Sequence, residues 1–283
     1  MIWEISKRRL FLDRTLVMAI LNVTPDSFSD GGKFLELDAA LHQAELSVTQ
    51  GAAILDIGGE STRPAGSRVI SADEEIDRVV PVIEAIVKRL DIPISIDTSK
   101  SEVAKKAVDA GAEIINDISG LRFDPKIADV AAKGRCGLIL MHSRGTFATL
   151  HTEPPVDDIM PEVNRGLHIS VNEAAARGVR QAQIALDIGI GFGKTMDQNL
   201  ELLANIGRLR DEFSGFPIVV GTSRKSFIGK LLGGVPVEER LAGSLATAVI
   251  AARNGADIIR VHDVKETVAA IKIADAIGEK IYV

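Results

Sequence analysis

Short apolar runs recur eight times along the chain, and each ends in polar residues: Val17–Asn22, Ala53–Gly59, Ile92–Asp97, Ile114–Asp117, Leu138–His142, Ile184–Asp187, Ile218–Ser223 and Ile258–His262. The runs are continuous in Ile, Val, Leu and Ala rather than alternating, the pattern of parallel strands covered on both faces. Between them, apolar positions return at helical spacing over Ala72–Leu90, Lys100–Ala110, Lys126–Lys133, Asp158–Arg177, Leu200–Glu212, Val237–Asn254 and Lys265–Gly278. Ser71, with Glu74 three residues on, reads as a capping-box-like helix start. Gly111, Gly134, Gly178, Gly255 and Gly278 stand where helices can end in a left-handed residue. Gly51-Ala-Ala-Ile, Gly111-Ala-Glu-Ile and Gly255-Ala-Asp-Ile repeat one helix-to-strand turn. The order strand, loop, helix, eight times over, predicts an α/β fold, a (β/α)₈ TIM barrel whose strands open at their C-terminal ends onto one face. A doubly wound open sheet is the rival, but Leu21–Ser27 lacks the glycine-rich first turn such a sheet uses for a dinucleotide. Apolar and polar residues alternate over Met1–Asp13, which predicts a small hairpin capping the barrel bottom.

Length fits this reading. A barrel takes about 250 residues, so residues 1–283 are expected to form a single barrel domain, with 1–15 as an N-terminal hairpin extension. The net charge is −6 with both signs mixed throughout. No basic stripe suggests nucleic acid as a partner. No run approaches the roughly 20 apolar residues of a membrane helix, and no signal peptide is evident, so a cytoplasmic location is expected. Cys136 is the only cysteine. It is read as a small residue at a strand start, away from the end where barrel chemistry sits.

Candidate chemistry lies at the strand tips. Asn22 opens the polar segment that follows the first run and offers an amide oxygen to a hard cation or to water. The second run leads into Gly58-Gly-Glu-Ser-Thr-Arg-Pro, where Thr62 and Arg63 suit an oxyanion. Asp97, Asn116, Asp117 and Asp187 end the third, fourth and sixth runs. Three acids and an amide are expensive to bury unpaired. They suit a ligand rich in N–H donors, such as a pterin or guanine, and a divalent-metal carboxylate cage is the alternative. The last two strand ends carry Ser223, Lys225, Arg260 and His262, at the rim segments where barrels commonly bind phosphate. Gly189-Ile-Gly-Phe-Gly-Lys-Thr imitates a P-loop but is one residue short of the motif and follows the sixth strand. The residues thus point to a donor-rich ring at one side of the mouth and a phosphate at the other.

The ordered segments Ile20-Leu-Asn-Val-Thr-Pro-Asp-Ser-Phe-Ser-Asp-Gly-Gly, Gly58-Gly-Glu-Ser-Thr-Arg-Pro, Ile96-Asp-Thr, Ile115-Asn-Asp-Ile-Ser-Gly, Leu140-Met-His, Gly189–Thr195, Ser223-Arg-Lys-Ser-Phe and Arg260-Val-His-Asp-Val resemble the dihydropteroate synthase family over about residues 16–265. The resemblance implies a (β/α)₈ barrel that joins 4-aminobenzoate to 7,8-dihydropterin-6-ylmethyl diphosphate. It implies that Asp97, Asn116, Asp187 and Lys225 hold the pterin, with Met141 and Phe192 lining its slot. Asn22 would contact Mg²⁺ on the diphosphate, and Arg260, His262 and Arg63 would bind the phosphates. Thr62, Arg63, Pro64, Phe28 and Ser226 would build the aminobenzoate site. Arg260, His262, Lys225 and Asp97 are the catalytic candidates that it implies, and a homodimer through late helices is the family's usual assembly. A pterin-dependent methyltransferase barrel would keep the acid and amide slot but has no diphosphate to hold, which argues against it. A non-catalytic pterin carrier is the third reading, and it would tolerate broken first and second loops. Ile188 departs from the family's usual proline, which puts the rigidity of its loop in question. Pro64-Ala-Gly and the segment with Phe147, Leu150 and His151 depart as well.

Overall fold

The computed structural model describes residues 1–23, 32–61, 69–150, 152–278 and 280. The eight expected runs form one closed parallel barrel: β3 (Leu16–Asn22), β4 (Ile54–Gly58), β5 (Ile94–Asp97), β6 (Ile114–Asp117), β7 (Gly137–Met141), β8 (Ile184–Asp187), β9 (Ile218–Val220) and β10 (Ile258–Val261). Each pairs with the next in sequence, and β10 closes on β3 with Arg260 opposite Met18. Closure leaves no sheet edge exposed.

Strand alternation sorts the side chains. Val17, Leu55, Ile57, Ile96, Ile115, Leu138, Leu186, Val220 and Ile259 turn outward into one large buried cluster against the helices. Met18, Ile54, Ile114, Ile139, Ala185, Val219 and Ile258 turn inward and fill the lower barrel. Each neighbour in sequence faces the opposite way, as the two-residue period of a strand requires.

The N-terminal expectation is met. β1 (Ile2–Ile5) and β2 (Arg8–Phe11) make an antiparallel hairpin, with Trp3 opposite Leu10. Trp3 and Ile5 join the inner cluster as its floor. Trp3 is fully buried, and its Nε1 donates to the Gln183 carbonyl at 2.8 Å. The hairpin is also clasped by ions, for Arg8 reaches both carboxylate oxygens of buried Glu113 at 3.0–3.1 Å.

Ten α-helices are described: α1 (Gly32–Thr49), α2 (Ala72–Val87), α3 (Ser101–Ala110), α4 (Lys126–Gly134), α5 (Ile159–Ala176), α6 (Met196–Ala204), α7 (Ile206–Glu212), α8 (Ser226–Leu231), α9 (Leu241–Arg253) and α10 (Val264–Gly278). The Ser71 hydroxyl caps α2 by accepting from the Glu74 amide at 3.1 Å. Differences from the sequence reading are local. The helix expected over Leu200–Glu212 starts earlier, at a capping box between Thr195 and Gln198, and breaks at Asn205. The helix expected over Val237–Asn254 is a 3₁₀ turn, Val237–Glu239, followed by α9. Gly111, Gly178 and Gly255 take positive φ as expected, but after α4 the left-handed residue is Arg135 at φ 53°, one beyond Gly134.

Candidate active site

One inward position above the apolar filling, the barrel changes chemistry. A further step of two residues carries β4 from Ile54 to Asp56, β6 from Ile114 to Asn116, β8 from Ala185 to Asp187 and β10 from Ile258 to Arg260. These groups meet. The Arg260 Nε donates to Asp56 Oδ2 at 2.6 Å, and its Nη2 donates to Asp97 Oδ2 at 2.6 Å. The Asn116 Nδ2 donates to the same Asp56 oxygen at 3.1 Å. Four strands are therefore tied across the lumen by one guanidinium and two carboxylates.

Burial shapes their acidities. It pushes the Asp97 carboxyl up to about 7, with Arg260 opposing and Asp56 reinforcing the shift. It also raises Asp187, against the pull of Lys225 and of the Gly189 amide, which donates to Asp187 Oδ1 at 2.7 Å. Lys225 is lowered to about 8, chiefly by burial, with Asp187 working the other way. For Arg260, burial disfavours the charge, but Asp56 and Asp97 more than offset it and hold the guanidinium ionised.

Beside the polar ring lies an apolar wall. Met141 is buried with Ile118 and Leu150, and Phe123, Phe147 and Phe192 pack against them. The Lys225 ammonium stands 4.6 Å from the Phe192 ring centroid, a cation–π contact, and donates to the Ile190 carbonyl. A slot with acceptors on one side, an aromatic and a thioether on another, and a lysine at its edge suits a flat, donor-rich heterocycle.

The loop after β8 is not a phosphate cradle. The Lys194 Nζ donates to the carbonyls of His142, Gly189 and Phe192 at 3.3, 2.7 and 3.1 Å, so its hydrogen bonds are spent on the loop itself. Gly189 sits at φ 66°, and a Cβ there would come within 1.8 Å of the His142 carbonyl oxygen. Asn199 Oδ1 accepts from the Gly191 amide at 2.6 Å. These bonds fasten the segment where Ile188, fully buried, replaces a stiffening proline.

The remaining sites distribute as follows. Asn22 ends β3, half-buried beside Gly58. His262 follows β10, and its Nδ1 lies 3.1 Å from the Ser223 hydroxyl, joining the last two strand ends. Ser226 is exposed as the first residue of α8. Phe28, Thr62, Arg63, Pro64 and His151 lie outside the described residues. Asp117 does not join the ring. Its carboxylate turns outward and accepts from the Ser119 amide and hydroxyl and from the Leu121 amide at 2.6–2.8 Å, organising its own loop. Adjacent to inward Asn116, it must face away. Asp56, by contrast, is a central member that the strand-tip reading passed over. Its signal was an acid inside the run Ile54-Leu-Asp-Ile-Gly58, on the same parity as Ile54. Among the described residues no three His, Cys, Asp or Glu side chains group as a metal cage.

Comparison with known proteins agrees with this geometry. The family model described as "pterin binding enzyme" matches residues 18–262. A dihydropteroate synthase of Synechocystis sp. is 49% identical over 264 residues, covering 93% of this chain and 90% of the relative. The structure of the Yersinia pestis dihydropteroate synthase with a sulfonamide drug complex superposes with a TM-score of 0.91 at 46% identity, covering 99% of this chain and 100% of that one. That of the Xanthomonas albilineans enzyme with 4-aminobenzoic acid gives 0.91 at 42% identity, covering 99% of each chain. With the family model spanning the barrel from β3 to His262, the chain belongs to the pterin-binding enzymes and, within them, to the transferases called dihydropteroate synthases.

Proposed function

We propose that the mouth of the barrel condenses 7,8-dihydropterin-6-ylmethyl diphosphate with 4-aminobenzoate, giving 7,8-dihydropteroate and diphosphate. The observation that carries this reading is the convergence of Asp97, Asn116 and Asp187, from three strands, on one slot walled by Met141 and Phe192. The pterin lies there with its ring N–H groups on those acceptors and with Lys225 at its edge. Its charged tail runs toward β10, where Arg260 and His262 take the phosphates with Arg63. Thr62, Arg63, Pro64, Phe28 and Ser226 receive the aminobenzoate. The Yersinia pestis relative is described with a sulfonamide drug complex, which supports reading this chain as a sulfonamide target.

An aniline-type amine is a weak nucleophile, so the C–O bond of the methylene diphosphate breaks first or nearly so. Its electron pair leaves with the diphosphate, and the positive charge spreads into the pterin. Asp97 and Asp187, anionic beside the ring, stabilise that charge, and Arg260 and His262 stabilise the departing phosphates. The amine nitrogen then bonds to the methylene carbon and releases its proton.

Asn22 offers a single hard amide oxygen, and the described residues supply no all-protein cage. That sparse donor set fits Mg²⁺, which is commonly held by one or two protein groups together with substrate phosphates and water. When bound, the ion would neutralise charge on the diphosphate. The lone, buried Cys136 supports a reducing, cytoplasmic setting, and no described helix is long and apolar enough to cross a membrane. Exposed Leu241 and Ile250 on α9, with Ile273 and Ile277 on α10, support assembly as a homodimer through the late helices; light scattering should return about twice the 30.2 kDa chain mass. Purified protein given the pterin diphosphate and Mg²⁺ should release diphosphate and form 7,8-dihydropteroate in equal amounts once 4-aminobenzoate is added. No release under those conditions removes the reading.

A further inference from the structure

Asp56 is fully buried on β4, level with Ser95 of β5 and below the slot. One of its oxygens, Oδ2, accepts both from Arg260 Nε and from Asn116 Nδ2. The other, Oδ1, has no partner among the described residues, and neither does the Ser95 hydroxyl beside it. A carboxylate kept only for packing is a poor choice at such a place. It buries a charge and strands a lone oxygen, where an apolar side chain of similar shape is often neutral or stabilising. What the carboxylate does uniquely is orient its two partners. It is acceptor-only, so the Asn116 amide must turn its nitrogen down to Asp56, leaving its carbonyl oxygen for the slot above. The two faces of an amide are otherwise nearly equal in shape. A reversed amide would present N–H donors to a ring that itself carries donors.

We infer that Asp56 is a positioning residue that sets which face of the Asn116 amide meets the ligand and, through the same oxygen, where the Arg260 guanidinium stands. It thereby couples the ring-binding side of the mouth, on β6, to the cation on β10. The inference rests on the pterin slot proposed above.

The test is a double-mutant cycle read by calorimetric titration with free 6-hydroxymethyl-7,8-dihydropterin, each variant first checked for cooperative melting. Asp56→Ala should weaken binding tenfold or more. Asp56→Asn, which can keep an oxygen at the shared position, should stay within threefold of wild type. Asn116→Ala should weaken binding tenfold in the wild-type background but less than threefold once Asp56 is alanine, because the amide has by then lost its orientation. A residue that only props the fold gives independent, multiplying effects; that result, or an Asp56→Ala protein binding as well as wild type, overturns the inference. Should Asp56→Ala fail to fold, neutron diffraction from wild-type crystals decides: deuterons on the Asn116 nitrogen directed at Asp56 support it, and the reversed amide defeats it. A wild-type protein indifferent to the pterin defeats the slot itself, and this is recognisable without any variant.

Discussion

The floor and the mouth of this barrel are built from the same strands, two residues apart. Ile54 and Asp56, Ile114 and Asn116, Ala185 and Asp187, Ile258 and Arg260 share a strand and a facing, separated by about 6.6 Å of rise. The lower member of each pair packs with Trp3, Ile5 and Met18 in a dry layer. The upper member belongs to a ring in which the carboxyls of Asp97 and Asp187 have raised pKa values beside a half-buried guanidinium and ammonium. The difference teaches that holding the fold and holding the ligand are segregated along the barrel axis, although no stretch of sequence belongs wholly to either.

The sharpest way to break this division is at the floor. Trp3→Ala should lower unfolding free energy by about 3–5 kcal/mol, the usual range for truncating a buried Trp, measured by urea denaturation. Pterin affinity of the folded fraction should stay within about twofold, since one tenfold is about 1.4 kcal/mol. A matching loss of affinity would merge the two regions. At the mouth the pattern reverses. Asp187→Asn should weaken pterin binding by about 2 kcal/mol, as for a lost charge-assisted pair. Melting temperature should not fall, because a neutral amide relieves the burial penalty that raises this carboxyl and can still accept from Gly189. An affinity change of a few tenths would remove Asp187 from the ring contact.

Titration sharpens the contrast further. The free enzyme should gain kcat/KM as pH rises through about 7, when Asp97 ionises, and lose it through about 8, when Lys225 gives up its proton. Stability should respond to Asp97 with the opposite sign. Its folded pKa is raised, so the native state holds the proton more tightly than the unfolded chain; that contribution is full at low pH and declines as pH climbs toward about 7. A melting temperature rising together with activity over that window would contradict the assignment. The smallest effect belongs to Cys136, buried where β7 begins, with its thiol pushed up to about 11 by burial. Cys136→Ala should cost about 1 kcal/mol, and thiol labelling of the native protein should proceed only as fast as it unfolds.

Most of the fold was legible because parallel strands buried on both faces leave unbroken apolar runs, and each of the eight became a barrel strand. What was missed has identifiable causes. In α1, Leu37, Ala40, Leu41, Ala44 and Val48 share the core-facing side, but two of the five are alanines and exposed Leu46 lies opposite them, so the stripe was shallow. Thr195, the cap of α6, was hidden inside the false P-loop motif. Asn205 breaks the following pair of helices, and Gly207 is a poor marker of the break because it lies inside α7 rather than between the two helices. At the site, Asp97, Asn116, Asp187 and Arg260 were readable as polar tips of apolar runs. Asp56 was not, because it lies within its run and only strand parity turns it inward. The same parity, applied to consecutive residues, would have separated Asn116 from Asp117. The roles given to Thr62, Arg63, Pro64 and Phe28 rest on the family's loop motifs and lie outside the described residues.

The hairpin beneath the barrel has a practical corollary for handling the molecule. Met1 is exposed at the edge of the plugged underside, while substrates are expected to enter from the opposite pole. A biosensor chip or resin coupled through the amino terminus should therefore leave the entrance unshaded, whereas random coupling through surface lysines offers no such guarantee.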